Sequence, residues 1–199
     1  MPIANGYATL AQIKAAAHIS DNVDNDLLEM AIESASRQID VACDRQFYQL
    51  GPVARVFVAD SATVVNIDDA VSISAVAMDE DGNGSFVSVA ATEYQTEPLN
   101  GRMSGMAWPI TRLRAIQDHD WPIIGRQALV RVTATWGWPS VPTDIVQATL
   151  VQALRLWKRP DTPLGVAGFG DIGAIRLAAG LDPDVQQILE PYRRHTGIA

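Results

Sequence analysis

The sequence predicts an α+β fold in which helices and strands occupy separate stretches of the chain. Apolar residues recur three and four positions apart near both ends, whereas residues 51–141 are rich in short β-branched runs broken by Asp and Gly. Strands and helices do not alternate, so a parallel βαβ sheet is not expected. The chain has 199 residues, enough to bury one core with a large insertion.

Two helices are predicted in the first 50 residues. Thr9 and Gln12 have the spacing of a capping box, and Leu10, Ile13 and Ala17 give the helix that follows one apolar stripe. The acidic segment 20–26 then supplies N-cap candidates and favours a second helix N-terminus. This longer helix is predicted over residues 27–44, and its apolar stripe consists of Leu28, Ile32, Ala35, Ile39 and Ala42.

The middle of the chain predicts an antiparallel β region. Asp81-Gly82 and Asn83-Gly84 are typical of hairpin turns, because these residues accept positive φ angles. The glycine- and methionine-containing stretch 100–108 is predicted to be a loop. The predicted strands span residues 53–59, 63–67, 71–78, 85–89, 92–97, 110–115 and 129–136.

A third helix is predicted to begin at Thr143 or Asp144 and to end before Pro160. Its expected apolar face consists of Val146, Leu150, Ala153, Leu154 and Trp157. We expect Leu28, Ile32 and Ile39 to pack against Val146, Leu150 and Trp157, so that the third helix closes on the first two.

The segment after Pro160 is predicted to contain a glycine-rich loop, a short strand near residues 174–178 and a last helix. Asp182 caps this helix, which has Pro183 at its first position. The chain would then consist of a helical module (residues 1–50 and 142–160), a β-rich insertion (51–141) and a C-terminal arm (161–199).

Two interpretations of the arm remain open. In the first it grips a partner: the strand residues Ile175, Arg176 and Leu177 extend a partner's sheet, and the helix presents apolar and basic residues, namely Ile188, Leu189, Tyr192, Arg193 and Arg194. In the second the helix packs back on its own chain. Two interpretations are likewise open for Trp108 and Trp138. A tryptophan on a loop can anchor an interface with a partner, or it can pack beneath the loop within its own chain.

Composition and charge exclude several classes of protein. The net charge of −8 argues against a general DNA-coating protein, and none of the predicted helices is a basic recognition helix. Cys43 is the only cysteine, which excludes an intrachain disulfide and a cysteine-rich zinc site. No apolar run approaches the ~20 residues that span a bilayer, and the N-terminus lacks the features of a signal peptide, so we expect cytoplasmic synthesis and no membrane partner.

Two motifs suggest ligand sites, but their contexts do not support them. Residues 168–173 match G-x-G-x-x-G without the preceding strand and following helix of a dinucleotide site. Residues 79–84 match the first half of an EF-hand loop, but Ala90 occupies the position of the bidentate carboxylate. Hydrolase, metalloprotease and P-loop motifs are missing from the sequence. We therefore expect no enzyme activity, no cofactor and no metal.

The order of several short motifs resembles the head–tail connector (adaptor) family of long-tailed double-stranded-DNA bacteriophages. The motifs are Thr9-Leu10-Ala11-Gln12-Ile13-Lys14, the acidic turn before Leu27, Cys43-Asp44-Arg45-Gln46-Phe47, Val132–Trp138 and Pro191-Tyr192-Arg193-Arg194. Each motif has low specificity by itself. The resemblance rests on their shared order, which extends over nearly the whole chain.

The resemblance implies a structural virion protein. Connectors of this family would form a ring of about a dozen copies on the portal protein, lengthen the DNA conduit and present a platform to the next head-completion or tail-terminator protein. Genomic DNA would pass through the lumen without sequence-specific binding, and the helices would form the contacts between subunits. The alternative function is a small-ligand-binding accessory domain, a monomer with a concave, tryptophan-lined pocket in the β insertion.

Overall fold

A computed structural model describes residues 3–159 and 180–194, together with the backbone of 166–168 and 174–176. The chain divides into two compact units, one formed by residues 1–45 with 141–199 and the other by residues 46–140. The first contains the helices and the second the main sheet, so the predicted α+β class is confirmed. The C-terminal segment is grouped with the helices and does not form a third unit.

The described residues of the helical unit form four α-helices: α1 (Leu10–Ala17), α2 (Asn25–Cys43), α3 (Thr143–Lys158) and α4 (Pro183–Leu189). A 3-10 turn, Glu190–Tyr192, continues α4. The capping box of α1 forms as predicted: the Gln12 N–H donates to Thr9 Oγ1 at 3.2 Å, and the Thr9 N–H donates to Gln12 Oε1 at 2.8 Å. Asp182 caps α4 by accepting from the Asp184 N–H at 3.0 Å.

The core of the helical unit forms where α1, α2 and α3 meet. Leu28 and Ile32 of α2 are fully buried there, and Val146, Leu150 and Trp157 of α3 pack against them while remaining partly exposed. The contact between α2 and α3 was predicted correctly. Ile39 is buried as well.

The most deeply buried face of α3 differs from the predicted one. It consists of Ile145, Ala148, Thr149, Gln152 and Ala153. Two of these residues are polar, so apolar spacing in the sequence does not reveal this face. Their polar groups are satisfied inside the unit: Thr149 Oγ1 donates to Ile145 O at 2.8 Å, and Gln152 Nε2 donates to Gln38 Oε1 at 2.7 Å.

The second unit is built on a six-stranded antiparallel sheet. Its strands in chain order are β1 (Leu50–Phe57), β2 (Val64–Met78), β3 (Val87–Val89), β4 (Tyr94–Glu97), β7 (Ile110–Ala115) and β8 (Val130–Trp136). Their spatial order is β1-β8-β2-β7-β4, and β3 pairs with the end of β2. A separate hairpin, β5 (Arg102–Met103) with β6 (Met106–Ala107), lies in the stretch predicted to be a loop.

β2 was predicted as two strands, but it is one strand of 15 residues. Its first half pairs with β7 and its second half with β8, and the register to β7 shifts between Asn66 and Ala70. The polar pair Asp68-Asp69 therefore marks an irregularity inside a continuous strand, where we had expected a break between two strands.

β8 forms the centre of the sheet core. Its alternate residues Val130, Val132, Ala134 and Trp136 are all buried, as a strand with one covered face requires. They pack with Val65 and Ile67 of β2 and with Leu113 of β7 in one apolar cluster.

A two-stranded ribbon lies in the C-terminal segment of the helical unit. β9 (Val166–Gly168) and β10 (Ala174–Arg176) pair antiparallel, with Ile175 opposite Ala167. β10 agrees with the short strand predicted near residues 174–178, whereas β9 falls in the predicted glycine-rich loop. The rest of the G-x-G-x-x-G stretch lies outside the described residues.

Candidate assembly surfaces

The C-terminal helix was a candidate for binding a partner, but its apolar stripe is part of the chain's own core. Val185 and Leu189 are fully buried and Tyr192 is nearly so. Ile188 is half-buried. Since this burial is reached within a single chain, the interpretation in which the stripe binds a partner is wrong for Leu189 and Tyr192. The helix packs back on its own unit.

Hydrogen bonds fasten this segment to α2 and α3. The Tyr192 hydroxyl donates to Asp144 at the start of α3 over 3.1 Å, and Arg45 Nε donates to the Tyr192 carbonyl over 2.6 Å. The Arg194 N–H donates to the Cys43 carbonyl over 2.9 Å. Burial, reinforced by Asp144, raises the pKa of the Tyr192 hydroxyl to about 12. The segment is therefore held at the C-terminal end of α2.

Gln152 provides a further link that sequence analysis missed. It is almost completely buried in α3, bonds to Gln38 of α2, and accepts from the Asp182 N–H at the start of α4 over 3.2 Å. One side chain thus connects three helices. A buried glutamine has no periodic signal in the sequence that would distinguish it from a surface residue.

The other candidate residues of the arm lie in or next to β10 and after α4. Ile175 and Arg176 lie in β10, whose described partner is β9 of the same chain. Leu177 lies outside the described residues. Arg193 and Arg194 are half-buried, and Arg193 pairs with Glu190 at 3.4 Å.

Trp108 and Trp138 are buried within the sheet unit. Their rings meet edge to face with centroids 4.8 Å apart, and Phe47 lies 5.2 Å from Trp138. Trp138 Nε1 donates to the buried carboxylate of Asp69 over 2.8 Å. These tryptophans pack beneath loops, so their proposed role as exposed interface anchors is not supported.

Gly137 explains the spacing of the Trp136-Gly137-Trp138 motif. Its φ angle is +104°, and a Cβ atom at this position would lie 2.0 Å from the Tyr48 carbonyl oxygen. Its N–H donates to the Asp69 carbonyl over 2.7 Å. Only glycine fits this backbone crossing, which lies between two residues that are both buried, Trp136 and Trp138.

The EF-hand-like turn is a structural turn. The buried carboxylate of Asp79 accepts from the N–H groups of Asn83 and Gly84 over 3.1 and 2.7 Å, which closes the connection between β2 and β3. Among the residues described, no cluster of three or more His, Cys, Asp or Glu side chains is arranged to hold a metal.

No helix in the described part of the chain has the length and apolarity needed to cross a membrane.

The N-terminal segment is bound tightly along α2. The Ala4 and Asn5 N–H groups donate to Glu33, and the Tyr7 N–H donates to Ser36 Oγ over 3.0 Å. The Tyr7 hydroxyl donates to Asp40. Burial raises the pKa of the Asp40 carboxyl to about 6, although the hydrogen bond from Tyr7 and the charge of Arg37 partly oppose this shift.

The opposite face of α2 carries an apolar stripe that is largely exposed and that no helix or strand of the described residues covers. Val23, just before the helix, is 87% exposed, and Leu27, Met30 and Val41 are 56%, 52% and 84% exposed. With Ser34 these residues follow one another at spacings of three, four and seven, the pattern of a helix-packing seam. We call Val23, Leu27, Met30, Ser34 and Val41 the outer α2 stripe. The signal was present in the sequence, but the stronger inner stripe concealed it.

Comparison with solved structures shows similar chains in phage-like particles. A chain from the neck of an empty gene transfer agent (GTA) particle, computed with C6 symmetry, aligns over 97% of this chain and 92% of its own length, with a TM-score of 0.59 and 16% identity. A chain from the neck of the native particle, computed with C12 symmetry, gives a TM-score of 0.54 at 17% identity. A chain of the native GTA virion gives 0.52 at 16%.

This chain shares its fold with neck components of a gene transfer agent. The resemblance predicted from the sequence is thereby confirmed at the level of the fold. No protein-family model matches the sequence, and no curated protein matches it.

Proposed function

We propose that this chain is a structural subunit of the neck that joins head to tail in a phage-like particle. The observation that carries this proposal is the fold shared with GTA neck chains over 97% of the sequence, including both the helical and the sheet unit. The order of the sequence motifs supports the same assignment independently of the structure.

In this role the chain assembles into a closed ring of copies on the portal protein. Twelve copies are expected, since one of the similar necks was computed with C12 symmetry. A ring repeats one heterologous contact, so a modest interface between neighbours closes into a stable assembly. The ring extends the DNA conduit and offers its far side to the next head-completion or tail-terminator protein.

The charge of the chain suits a conduit for DNA. The net charge of −8 lets genomic DNA pass without strong adhesion, because binding to nucleic acid depends on neutralised phosphates. The protein acts at the head–tail interface of the virion after synthesis in the host cytoplasm, and it needs neither a cofactor nor a membrane.

The alternative, a small-ligand-binding domain, required tryptophans around an open pocket. All four tryptophans of the sheet unit, Trp108, Trp121, Trp136 and Trp138, are buried in packing contacts. They leave no indole face free to line a cleft, so the structure favours the neck assignment over the ligand-binding one.

Deleting the gene from the genome that encodes the chain tests this function. We expect electron microscopy to show separate heads and tails, and supplying the chain in trans should restore joined particles. Supplying the Gly51→Ala variant, whose added methyl group meets open space, should restore them equally well. Joined, infectious or transducing particles formed without the chain would contradict the proposal.

A further inference from the structure

α2 differs from an ordinary surface helix because it is apolar on two nearly opposite faces. The inner face, which includes Leu28, Ile32 and Ile39, packs inside the helical unit. The outer α2 stripe lies about 150° around the helix from it, at ~100° per residue. A solvated face of a helix is normally polar, so a stripe with four large apolar residues more than half exposed indicates a surface that becomes covered.

The charges around the outer α2 stripe indicate what covers it. Its N-terminal end is flanked by three acidic residues, Asp21, Asp24 and Asp26. The C-terminal end of α3 carries the opposite charge, with Arg155, Lys158 and Arg159, of which Lys158 and Arg159 are exposed. The same chain thus presents an acidic, apolar helix face and a basic helix end.

α3 also has an outward face. Gln147 and Lys158 are exposed and Val151 and Leu154 are partly exposed, at spacings of three and four that place them opposite the buried Ile145, Ala148 and Gln152. Leu154 lies at the edge of this face, since part of its side chain packs against the core of the helical unit. Within one chain α2 and α3 run antiparallel, because Tyr192 bonds both to Asp144 at the start of α3 and to Arg45 just beyond the end of α2. An antiparallel α2–α3 contact is therefore a packing that this sequence already forms.

We propose that the outer α2 stripe docks on the outward face of α3 in a second copy of this chain, in the same antiparallel sense. Leu27 and Met30 then pack against the partner's Val151 and the exposed part of its Leu154, and Asp24 lies beside the partner's Lys158. Opposite ends of the two helix dipoles also lie side by side. The contact is heterologous, since one face meets a different face, and its repetition yields a belt of alternating α2 and α3 helices. The inference rests on the proposed function in naming a second copy as the occupant.

Removing the apolar contact is the first test. Leu27→Asp should weaken self-association of the purified full-length chain at least about tenfold in sedimentation velocity across a concentration series. Leu99→Asp, which changes the same residue type at nearly equal exposure (59% against 56%) in the other unit, should leave it unchanged. A wild-type chain that stays monomeric throughout the series, equal association of all three proteins, or equal loss in both variants would overturn the proposal.

A mixing experiment tests the contact in trans. Asp24→Lys alone places like charges across the interface, and so does Lys158→Glu alone, so each variant should associate about three- to tenfold more weakly than wild type. In an equimolar mixture the two variants can alternate around the ring, and every contact is again between opposite charges. Association of the mixture should therefore return toward that of wild type. If the mixture associates no more strongly than either variant alone, the proposed pairing of Asp24 with the partner's Lys158 is wrong.

Different results would contradict the proposed function and the proposed interface. If the chain is not a neck component, it will be missing from purified particles whatever its behaviour in solution. If the neck assignment is right and the interface is wrong, wild type and Leu27→Asp will enter particles in the same copy number, while Leu99→Asp serves as the control for both.

Discussion

Gly137 lies directly after β8 with a φ angle of +104°, and its α-carbon faces the Tyr48 carbonyl. A side chain here meets two costs, the strained φ angle and the collision with backbone that cannot move independently. Gly137→Ala should lower the free energy of unfolding by about 2–5 kcal/mol, measured as a lower urea midpoint. Gly51→Ala is the control, since nothing lies within 4 Å of its added Cβ. Equal midpoints for the two variants would show that the crossing at Tyr48 is not as tight as described.

Asp40 should make stability depend on pH. Its pKa is about 6 in the folded chain against 3.8 for an ordinary aspartate, because burial disfavours the carboxylate. The folded state therefore binds this proton more tightly than the unfolded state does. The associated stability is fully present below pH 3.8 and is lost as the pH rises through about 6.

Asp40→Asn should remove this dependence while keeping an acceptor for the Tyr7 hydroxyl. Relative to wild type, the variant should gain about 1–2 kcal/mol between pH 4 and pH 7, a value reduced to allow for solvent screening. Urea unfolding at several pH values measures the difference, with the exposed Asp44→Asn as control. A constant difference across this range would contradict the assignment.

The sequence did not show whether Trp108 and Trp138 are buried in their own chain or exposed for a partner. Both lie beside prolines or turns, where a tryptophan side chain can equally well contact a partner or pack beneath a loop of its own chain. What decides the matter is the buried acceptor Asp69, which lies 69 residues from Trp138 in sequence. Such long-range partners leave no trace in local spacing.

At the level of elements, the bounds of the helices were predictable because their caps are local. The Thr9 and Asp182 side chains cap the N-termini of α1 and α4, and Pro142 directly precedes α3. The rotation of α3 was not predictable, since its buried face includes Thr149 and Gln152, whose polar groups are satisfied only by the tertiary fold. β2 was divided in two for a related reason, as Asp68-Asp69 resembles a turn in isolation.

The rotation of α3 gives a direct prediction. Ile145 is fully buried, whereas Leu150 packs against the core at its edge and stays partly exposed, although sequence periodicity placed Leu150 at the centre of the apolar face. Ile145→Ala should cost about 2–5 kcal/mol of unfolding free energy, and Leu150→Ala should cost clearly less. Urea denaturation of the two variants compares them. A larger loss of unfolding free energy for Leu150→Ala than for Ile145→Ala would show that the buried face of α3 is the one predicted from the sequence.

For the whole molecule, the α+β class and the order of the elements followed from the change of apolar period near residue 51 and its reversal near residue 142. The assignment of the C-terminal helix did not follow. An amphipathic helix after a glycine-rich stretch has the same pattern whether it covers a partner or its own chain, and only the burial of Val185, Leu189 and Tyr192 distinguishes the two.

The central claim is that copies of this chain form a ring in the neck between head and tail. Reconstruction of that neck by electron cryomicroscopy, in particles made by the genome that encodes the chain, tests it most directly. We predict a closed ring beneath the portal whose density fits the helical and sheet units of this chain, with α2 of each copy against α3 of the next. A neck fully accounted for by other proteins, with this chain absent, would contradict the account.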